Sequence, residues 1–453
     1  MTNRFFSGFK NSSILMFTFV LLLQLLSVPS LSAAPLQDEA SPAEYSAFLA
    51  DKHGISIDKP LTKGEYIEYV AQIISTDTKN EDKAVFSDVK PEDPLYSAAA
   101  KLYGLGILKG PAVRGSEPLS GRVAVLMAVR ASGLQELALT YSESKAAATL
   151  KALNIGPGSI GASIGQELAV AVDTGIVPSA YYDQLASGKI ADPAFINLLL
   201  GKTLSFNGVY KQSIGTTADP DIYTKLYEAY RQSDIIQIPK LQHVVDTALK
   251  QDIVTGYNLK DARYDANFIE SLSITYGHSD IKHAVQLIGL LRSEGLDARV
   301  QFEPKTSAFI YLKEWGEPEE SELSKIVQIE NGNYINYAKE YDLKFEFKDL
   351  QDKEKFQDII LQYAKKNEEN QSGLIHGSWW QPLYYSLTEL DDYKLIANNL
   401  IVDGHYYAQS FSLAEQADTI EDGFKSIDPS IEIGSYTFWV DEPFFNYLNG
   451  EYQ

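Results

Sequence analysis

The residues that most resemble metal ligands lie close together, at His278, Asp280 and His283. Imidazole and carboxylate groups commonly bind zinc in proteins. Their spacing of i, i+2 and i+5 does not place them on one helix face, because residues that share a face are three or four apart. The chain also lacks the H-E-x-x-H pattern. We therefore predict no metal site and interpret these residues as polar groups on a surface or in a helix first turn.

A second group of candidates lies in the aromatic-rich C-terminal stretch, where 16 of the 78 residues in 376–453 are Phe, Trp or Tyr. Aromatic rings stack on the C–H faces of sugars, and they are also common in protein cores and interfaces. The aromatic residues are therefore compatible with two interpretations, a protein core or a glycan-binding surface. The candidates for a ligand surface are His376, Trp379, Trp380, His405 and Trp439.

No set of residues specifies a catalytic mechanism. A glycosidase needs two carboxylates about 5–5.5 Å or 6.5–9.5 Å apart. Asp403, Asp441 and Glu442 are available, but the chain holds 61 Asp and Glu in all, so their presence decides nothing. The nucleophile elbow, the P-loop, the dinucleotide fingerprint and the calcium loop are missing. We predict no catalytic residues and no cofactor, and whether the chain is an enzyme stays open.

The composition excludes several classes of protein. The 453-residue chain has no Cys, which rules out disulfides, thiolate metal sites and Cys nucleophiles. The formal net charge is −22, from 39 Lys and Arg against 61 Asp and Glu. Nucleic acids and anionic membrane surfaces call for clustered basic residues, so we expect neither as a partner.

The N-terminus has the order of a secretory signal peptide. Arg4 and Lys10 precede an apolar run over residues 13–28, and small residues follow up to Ala34. The run is short for a membrane span, which needs about 20 residues, although an uncleaved anchor is the alternative. We predict a signal peptide over residues 1–34 and a secreted product without a membrane contact after cleavage. An exported chain without Cys fits a Gram-positive cell wall or cell surface.

Three imperfect repeats follow, at about residues 40–78, 84–135 and 150–205. Each has a helix that ends in a Gly-Ile turn, a loop, and a second apolar helix. The turns are Gly54-Ile55, Gly106-Ile107 and Gly175-Ile176. Glycine at the end of a helix adopts a left-handed conformation that other residues resist.

The second helix of each repeat begins with a capping residue. In the first repeat, Thr62 and Glu65 fit a capping box. Ser120 can cap the second, and Asp192 can cap the third, where Pro193 takes the first helical position.

These repeats resemble S-layer homology (SLH) repeats. Phe86-Ser87-Asp88-Val89 matches the opening F-x-D-V of that family, and residues 101–110, KLYGLGILKG, match its helix-to-loop segment. The resemblance covers roughly residues 40–205 and implies a helical module that attaches exported proteins to an anionic cell-wall polysaccharide. The family places an Arg at the start of the second helix, where its planar fork can pair with an acidic sugar.

The resemblance also implies which residues bind the polysaccharide. Lys63 stands at the position of the family Arg, Gly121 replaces it in the second repeat with Arg122 one place later, and Asp192 replaces it in the third. The alternative is a module that keeps the fold and has lost much of its binding. The predicted polysaccharide-binding residues are Thr62, Lys63, Asp88, Ser120 and Arg122.

Beyond the repeats, residues 206–240 are expected to form a connector and residues 241–453 an α+β domain of unknown function. Helices are predicted at residues 281–294 and 354–365, and strands at 297–302 and 307–312. The acidic segment near Ser321 and Glu322 is predicted to enter a further helix. The expected fold class is therefore a mainly α N-terminal module of three SLH-like repeats followed by an α+β domain.

Residues of about 270–312 also resemble the core of transglutaminase-like domains, through Leu291-Arg292 and Gly295-Leu296-Asp297-Ala298-Arg299. In that family a Cys opens the helix and a His lies on a following strand. Asp280 and Ser307 stand at those positions here, so the resemblance implies a non-catalytic relative.

We therefore expect an exported cell-surface protein that is attached non-covalently to a secondary polysaccharide of the cell wall and displays a non-catalytic C-terminal domain with an unknown partner. The alternative is an exported hydrolase that acts on wall glycan or peptide through the C-terminal domain.

Overall fold

The computed structural model describes residues 40–74, 86–156, 159–360, 363 and 382–451. The predicted signal peptide lies outside the described residues. The α-helices are α1 Pro42–His53, α2 Lys63–Ile73, α3 Leu95–Gly104, α4 Gly121–Ala131, α5 Gln135–Leu139, α6 Glu143–Ala152, α7 Ala162–Asp173, α8 Pro193–Phe206, α9 Ile222–Gln232, α10 Pro239–Lys250, α11 Ile281–Ser293, α12 Leu350–Ile360, α13 Ala417–Ile427 and α14 Glu442–Leu448. The strands are β1 Gly215–Thr216, β2 Gly256–Asp261, β3 Ser273–His278, β4 Ala298–Tyr311, β5 Ser324–Gln328, β6 Tyr334–Phe347, β7 Tyr384–Ser386, β8 Lys394–Asp403, β9 Tyr406–Leu413 and β10 Ile433–Val440. Within the described part, no helix is long and apolar enough to cross a membrane.

Helices α1 to α8 form a region with an internal repeat. The three predicted turn glycines, Gly54, Gly106 and Gly175, have φ of 63°, 72° and 76°, which confirms the left-handed conformation expected for them. The segments that precede α2, α4 and α8 lie side by side, since Leu119 N–H donates to Leu61 O at 2.9 Å and Ala191 N–H donates to Leu119 O at 2.9 Å. This ladder of short extended segments joins the three units.

Helix α1 packs on α8, so the first and last helices of this region are in contact. The contact depends on Gly201, because a Cβ atom there would lie 2.0 Å from the Cδ1 atom of Tyr45. Tyr45 is buried and its hydroxyl is 3.3 Å from Ser205 Oγ. A glycine in mid-helix is therefore needed here for close approach rather than for backbone freedom.

Eight antiparallel strands form a closed barrel in the order β4-β2-β9-β8-β10-β7-β3-β6. The barrel closes because β6 pairs with β4 along the full 14 residues of each strand. The two extra strands lie at its margins, with β1 paired to β4 and β5 paired to β6.

This barrel shows that the predicted fold class, a mainly α module followed by an α+β domain, is wrong. The two strands predicted at 297–302 and 307–312 are one strand, β4. Ser321 bridges to Ser324 and leads into β5 instead of entering a helix. The predicted connector contributes strand β1 and helix α9. The pattern of β6 accounts for part of the error. Charged residues occupy its inward positions, so polar and apolar residues alternate along it as they do in a strand with one face in solvent.

The apolar core lies outside the barrel wall, between the strands and the helices that cover them. Helices α11 and α12 pack on one side, with Leu287 and Phe356 fully buried against Phe345. Helices α10 and α13 cover another side, with Val245 and Phe424 fully buried. One end of the interior is apolar, where Phe444 of α14 lies against Phe411, with ring centroids 5.8 Å apart. The remaining interior is polar.

Ion pairs join helix α1 to the barrel. Glu44 accepts from Arg299 and Lys211 at 2.9 Å each, and Lys52 lies 2.5 Å from Glu270. Burial alone would raise the pKa of Glu270, but Lys344 and Lys52 outweigh it, so this pKa lies below its usual value. The carboxylate is therefore charged at neutral pH and bound by cations from both regions.

Candidate functional site

A cleft of about 530 Å³ lies between the first and second helical units. Three of its lining residues are cationic and one is anionic, which gives the cleft a positive balance. The lining residues are Lys63, Lys109, Gly110, Pro111, Ala112, Arg114, Glu117, Pro118, Ser120 and Val123. Such a surface suits an anionic ligand.

Lys63 is held in the cleft by the start of helix α2, of which it is the first residue. The predicted capping box is confirmed, since Glu65 N–H donates to Thr62 Oγ1 at 3.2 Å and Thr62 N–H donates to Glu65 Oε2 at 2.7 Å. Lys63 forms no ion pair with the carboxylates that the structure describes. Burial is the main reason why the pKa of Lys63 lies below its usual value, and Glu117 opposes the shift. The ammonium group is thus partly desolvated and available to a ligand.

Thr62 therefore fixes the helix start and does not itself line the cleft. Asp88 has a similar supporting role. Its carboxylate accepts from the N–H groups of Val113 at 2.8 Å and Arg114 at 2.7 Å. These two bonds are the main reason why the pKa of Asp88 lies below its usual value. They hold the loop on which Arg114 adopts a positive φ of 55° and borders the cleft.

Ser120 and Arg122 have different positions. Ser120 lines the cleft and caps α4, with Val123 N–H 3.4 Å from its Oγ atom. Arg122 faces the third unit, where its Nε donates to Leu185 O at 2.6 Å. The structure therefore brings Lys63 and Ser120 together and separates Arg122 from them.

The equivalent positions in the other two units carry no cation. Gly121 occupies the first position of α4, where a Cβ would lie 2.0 Å from Gln184 O, so no other side chain fits. Asp192 is the residue before α8, in register with Thr62 and Ser120, and Pro193 is the residue that corresponds to Lys63. The sequence alignment of the third repeat was therefore displaced by one residue.

Sequence reasoning missed Lys109 and Arg114. Lys109 borders the cleft and pairs with Glu167 of the third unit at 3.1 Å. Lys109 lies within the helix-to-loop segment KLYGLGILKG on which the SLH resemblance rests, and Arg114 follows that segment, so the basic residues in and just after it were the available signal.

A second polar site lies inside the barrel. Lys260 lies 2.5 Å from Glu303 and 3.0 Å from Asp342, and Lys305 lies 2.5 Å from the other oxygen of Asp342. Burial opposes the charge of Asp342, but Lys260 and Lys305 hold its pKa at about 2. These residues are almost fully buried, so this is an ion-pair network within the barrel rather than a surface feature.

Beside this network a cavity of about 420 Å³ opens toward helix α1 and the segment after α8 that contains Gly208 and Gln212. Tyr385 donates to Asp342 at 3.1 Å and Tyr407 donates to Asp265 at 2.8 Å along its wall. Burial is the main reason why the pKa of Asp265 lies above its usual value. The lining is therefore polar, aromatic and only partly open to solvent.

The predicted aromatic ligand surface is not assembled by the residues that the structure describes. His376, Trp379 and Trp380 lie outside the described residues. Trp439 packs against the outer core and pairs with Leu395 at the start of β8, whereas His405 follows the other end of β8. His405 and Trp439 therefore lie at opposite ends of the barrel wall.

The two predicted ligand-type histidines are in contact, which their spacing did not indicate. His283 Nδ1 lies 2.8 Å from His278 Nε2, because His278 ends β3 and His283 lies in the first turn of α11. Asp280 caps α11 through Lys282 N–H at 2.9 Å. In the described part of the chain no group of three or more His, Asp or Glu is placed to hold a metal ion.

Asp280 and Ser307, which stand at the two transglutaminase-like positions, have different structural roles. Asp280 caps α11 outside the wall, whereas Ser307 lies inside the barrel and donates to Asn258 Oδ1 at 2.6 Å.

Comparisons with protein-family models, with curated proteins and with solved structures found no match for this chain.

Lys353 is a buried cation that belongs to neither of these sites. Lys353 of α12 is 2% exposed and donates to Ser271 O, Ser386 Oγ and Thr388 Oγ1 at 2.8–3.1 Å, all of which are neutral. Burial lowers the pKa of Lys353 to about 8. The unfolded chain, with an ordinary lysine pKa, therefore binds more protons between pH 8 and pH 10 than the folded chain does.

We expect the free energy of unfolding to rise by about 1 kcal/mol from pH 7 to pH 9 through Lys353 alone. Urea unfolding of the wild type and of Lys353→Met at both pH values measures this contribution, as the difference between the two pH dependences. Lys355→Met is the matched control, because Lys355 lies on the same helix and is exposed. Equal pH dependences of the wild type and Lys353→Met would contradict the assignment.

Proposed function

We propose that this protein is exported and binds an anionic secondary polysaccharide of a Gram-positive cell wall through the cleft of Lys63, and that it displays the β-barrel at the cell surface. The observation that supports this most is the convergence of Lys63, Lys109 and Arg114 on one cleft. The SLH resemblance identified Lys63 from the sequence, and the other two cations come from the neighbouring unit.

Charge and desolvation favour an acidic sugar as the ligand. The ammonium group of Lys63 is partly buried and has no ion pair with a described carboxylate. Its electrostatic attraction to an incoming anion is stronger than that of an exposed ammonium group, because the local dielectric constant is lower. Arg114 can pair with a carboxylate through two parallel N–H donors. A single working cleft implies attachment through one main site, since Gly121 and Pro193 occupy the equivalent positions.

We expect Lys63→Ala to weaken binding to wall sacculi at least about tenfold, which corresponds to about 1.4 kcal/mol. Co-sedimentation of the purified protein with intact Gram-positive sacculi, and with sacculi from which acid has removed the secondary polysaccharide, measures this. Binding of the wild type should disappear after extraction and weaken as salt rises.

Lys59→Ala is the matched control, because Lys59 is 72% exposed, lies four residues earlier and does not line the cleft. It should bind as the wild type does. Equal binding of Lys63→Ala and Lys59→Ala, or full binding to extracted sacculi, would show that the cleft is not the attachment site.

A further inference from the structure

The cavity inside the barrel is independent of the cleft and has its own chemical character. Its charged lining is balanced, with the three lysines Lys52, Lys260 and Lys344 and the three carboxylates Asp265, Glu270 and Glu303. A volume of about 420 Å³ is within the range of small-molecule sites in proteins.

Five of the six charged lining residues already form ion pairs, and the sixth, Asp265, accepts a hydrogen bond from Tyr407. Lys260 lies between Glu303 and Asp342, and Glu270 lies between Lys52 and Lys344, the latter at 3.1 Å. An ionic ligand would have to break one of these pairs and leave a charge unpaired in a buried place, which is strongly unfavourable. The cavity therefore favours a ligand without net charge.

The same pairs suit hydroxyl groups. A hydroxyl both accepts from an ammonium group and donates to a carboxylate, so it can insert beside an ion pair without separating it. Gln212, Asn267 and Gln409 add amide groups to the lining, and each amide offers both donors and an acceptor. Rings of Tyr385, Tyr407 and Tyr436 add flat apolar surface.

We propose that the barrel cavity binds an uncharged, hydroxyl-rich ligand of the size of a mono- or disaccharide. Part of the site lies outside the barrel, since Lys52 of α1 and four residues that follow α8 also line the cavity, namely Gly208, Val209, Tyr210 and Gln212. The protein would then carry two sites for glycans of opposite character, an anionic polymer at the cleft and a neutral sugar in the barrel.

The test is isothermal titration calorimetry of the full chain with the uncharged disaccharides N,N′-diacetylchitobiose and maltose, the anion glucuronate and the zwitterion glycine. At least one disaccharide should bind with a Kd of about 1 mM or tighter, and glucuronate and glycine should bind at least about tenfold more weakly. The absence of heat from both disaccharides at millimolar concentration, or tighter binding of glucuronate or glycine, would overturn the proposal.

Two variants locate the binding. Leu387 lines the cavity and is 37% exposed, so Leu387→Trp should narrow the opening and weaken disaccharide binding at least about tenfold. Leu395→Trp is the matched control, because Leu395 is 39% exposed on the barrel and does not line the cavity. Gln409→Leu removes the amide at similar volume, and circular dichroism checks that each variant is folded.

Disaccharide binding that is unchanged in both Leu387→Trp and Gln409→Leu would place the ligand elsewhere and overturn the proposal. Lys63→Ala should leave disaccharide binding unchanged, and Leu387→Trp should leave sacculus binding unchanged. Failure of the cavity proposal is therefore distinguishable from failure of the wall-binding proposal.

Discussion

Lys260→Met is expected to lower the free energy of unfolding by about 3–5 kcal/mol, because it leaves the buried carboxylate of Glu303 without its cation and leaves Asp342 with Lys305 alone. Lys260 is 3% exposed and lies between Glu303 and Asp342, which are equally buried. The attraction of these carboxylates outweighs the burial of Lys260 and raises its pKa well above the usual value. Met has nearly the same length and fills the space, so the loss measures the charge rather than a cavity. Urea unfolding at pH 7 is the measurement.

Lys240→Met provides the comparison. Lys240 is 79% exposed and pairs with Asp403 at the surface, where an ion pair contributes about 0–1 kcal/mol. The double variant Lys260→Met/Glu303→Gln removes the carboxylate that Lys260→Met leaves unpaired and should recover part of the lost stability. Similar losses in Lys260→Met and Lys240→Met would show that the barrel network is solvated and does not depend on its central lysine.

Gly121→Arg, which restores the residue that the SLH family has at this position, is expected to destabilise the protein by about 3 kcal/mol or more and to add no wall binding. A Cβ at this position would lie 2.0 Å from Gln184 O and 2.9 Å from the carbonyl carbon of the same residue. Both contacts are with backbone, which cannot rotate away. The Gly121 N–H also donates to Lys189 O at 3.0 Å, so the two segments cannot separate without breaking the ladder between units.

Thermal unfolding and sacculus co-sedimentation together measure this prediction. Gly156→Arg adds the same side chain at an exposed glycine, where a Cβ has no atom within 4 Å. This control should change stability by less than about 0.5 kcal/mol. A stable Gly121→Arg variant with stronger sacculus binding would mean that the second unit can open into a working site.

Features that depend on neighbours in sequence were predictable. The capping box of Thr62 and Glu65 spans three residues, and the left-handed turn at Gly106 needs only the preceding helix. Lys63 was named because it stands at the position of the family Arg in the SLH resemblance. Such contacts are determined within one or two helical turns, where sequence patterns carry the information.

The barrel and the full cleft were not predictable in the same way. Lys260 meets Glu303 and Asp342 across separations of 43 and 82 residues, and no local pattern specifies such a pairing. Arg114 reaches the cleft because Asp88, 26 residues earlier, holds its backbone N–H. The closed barrel also reverses the usual distribution of polar residues, with charges inside and apolar side chains facing the covering helices. The sequence patterns predict two short strands within β4 and no element at β6, so the closure of the barrel by these two strands was missed.

The ion pairs of helix α1 have a mechanical consequence. Glu44 and Lys52 are eight residues apart, which is about 12 Å along a helix, and each is bound to the barrel. Because the helix is rigid, two attachment points prevent α1 from rotating about either one of them. The two ion pairs together therefore restrain the orientation of α1 relative to the barrel.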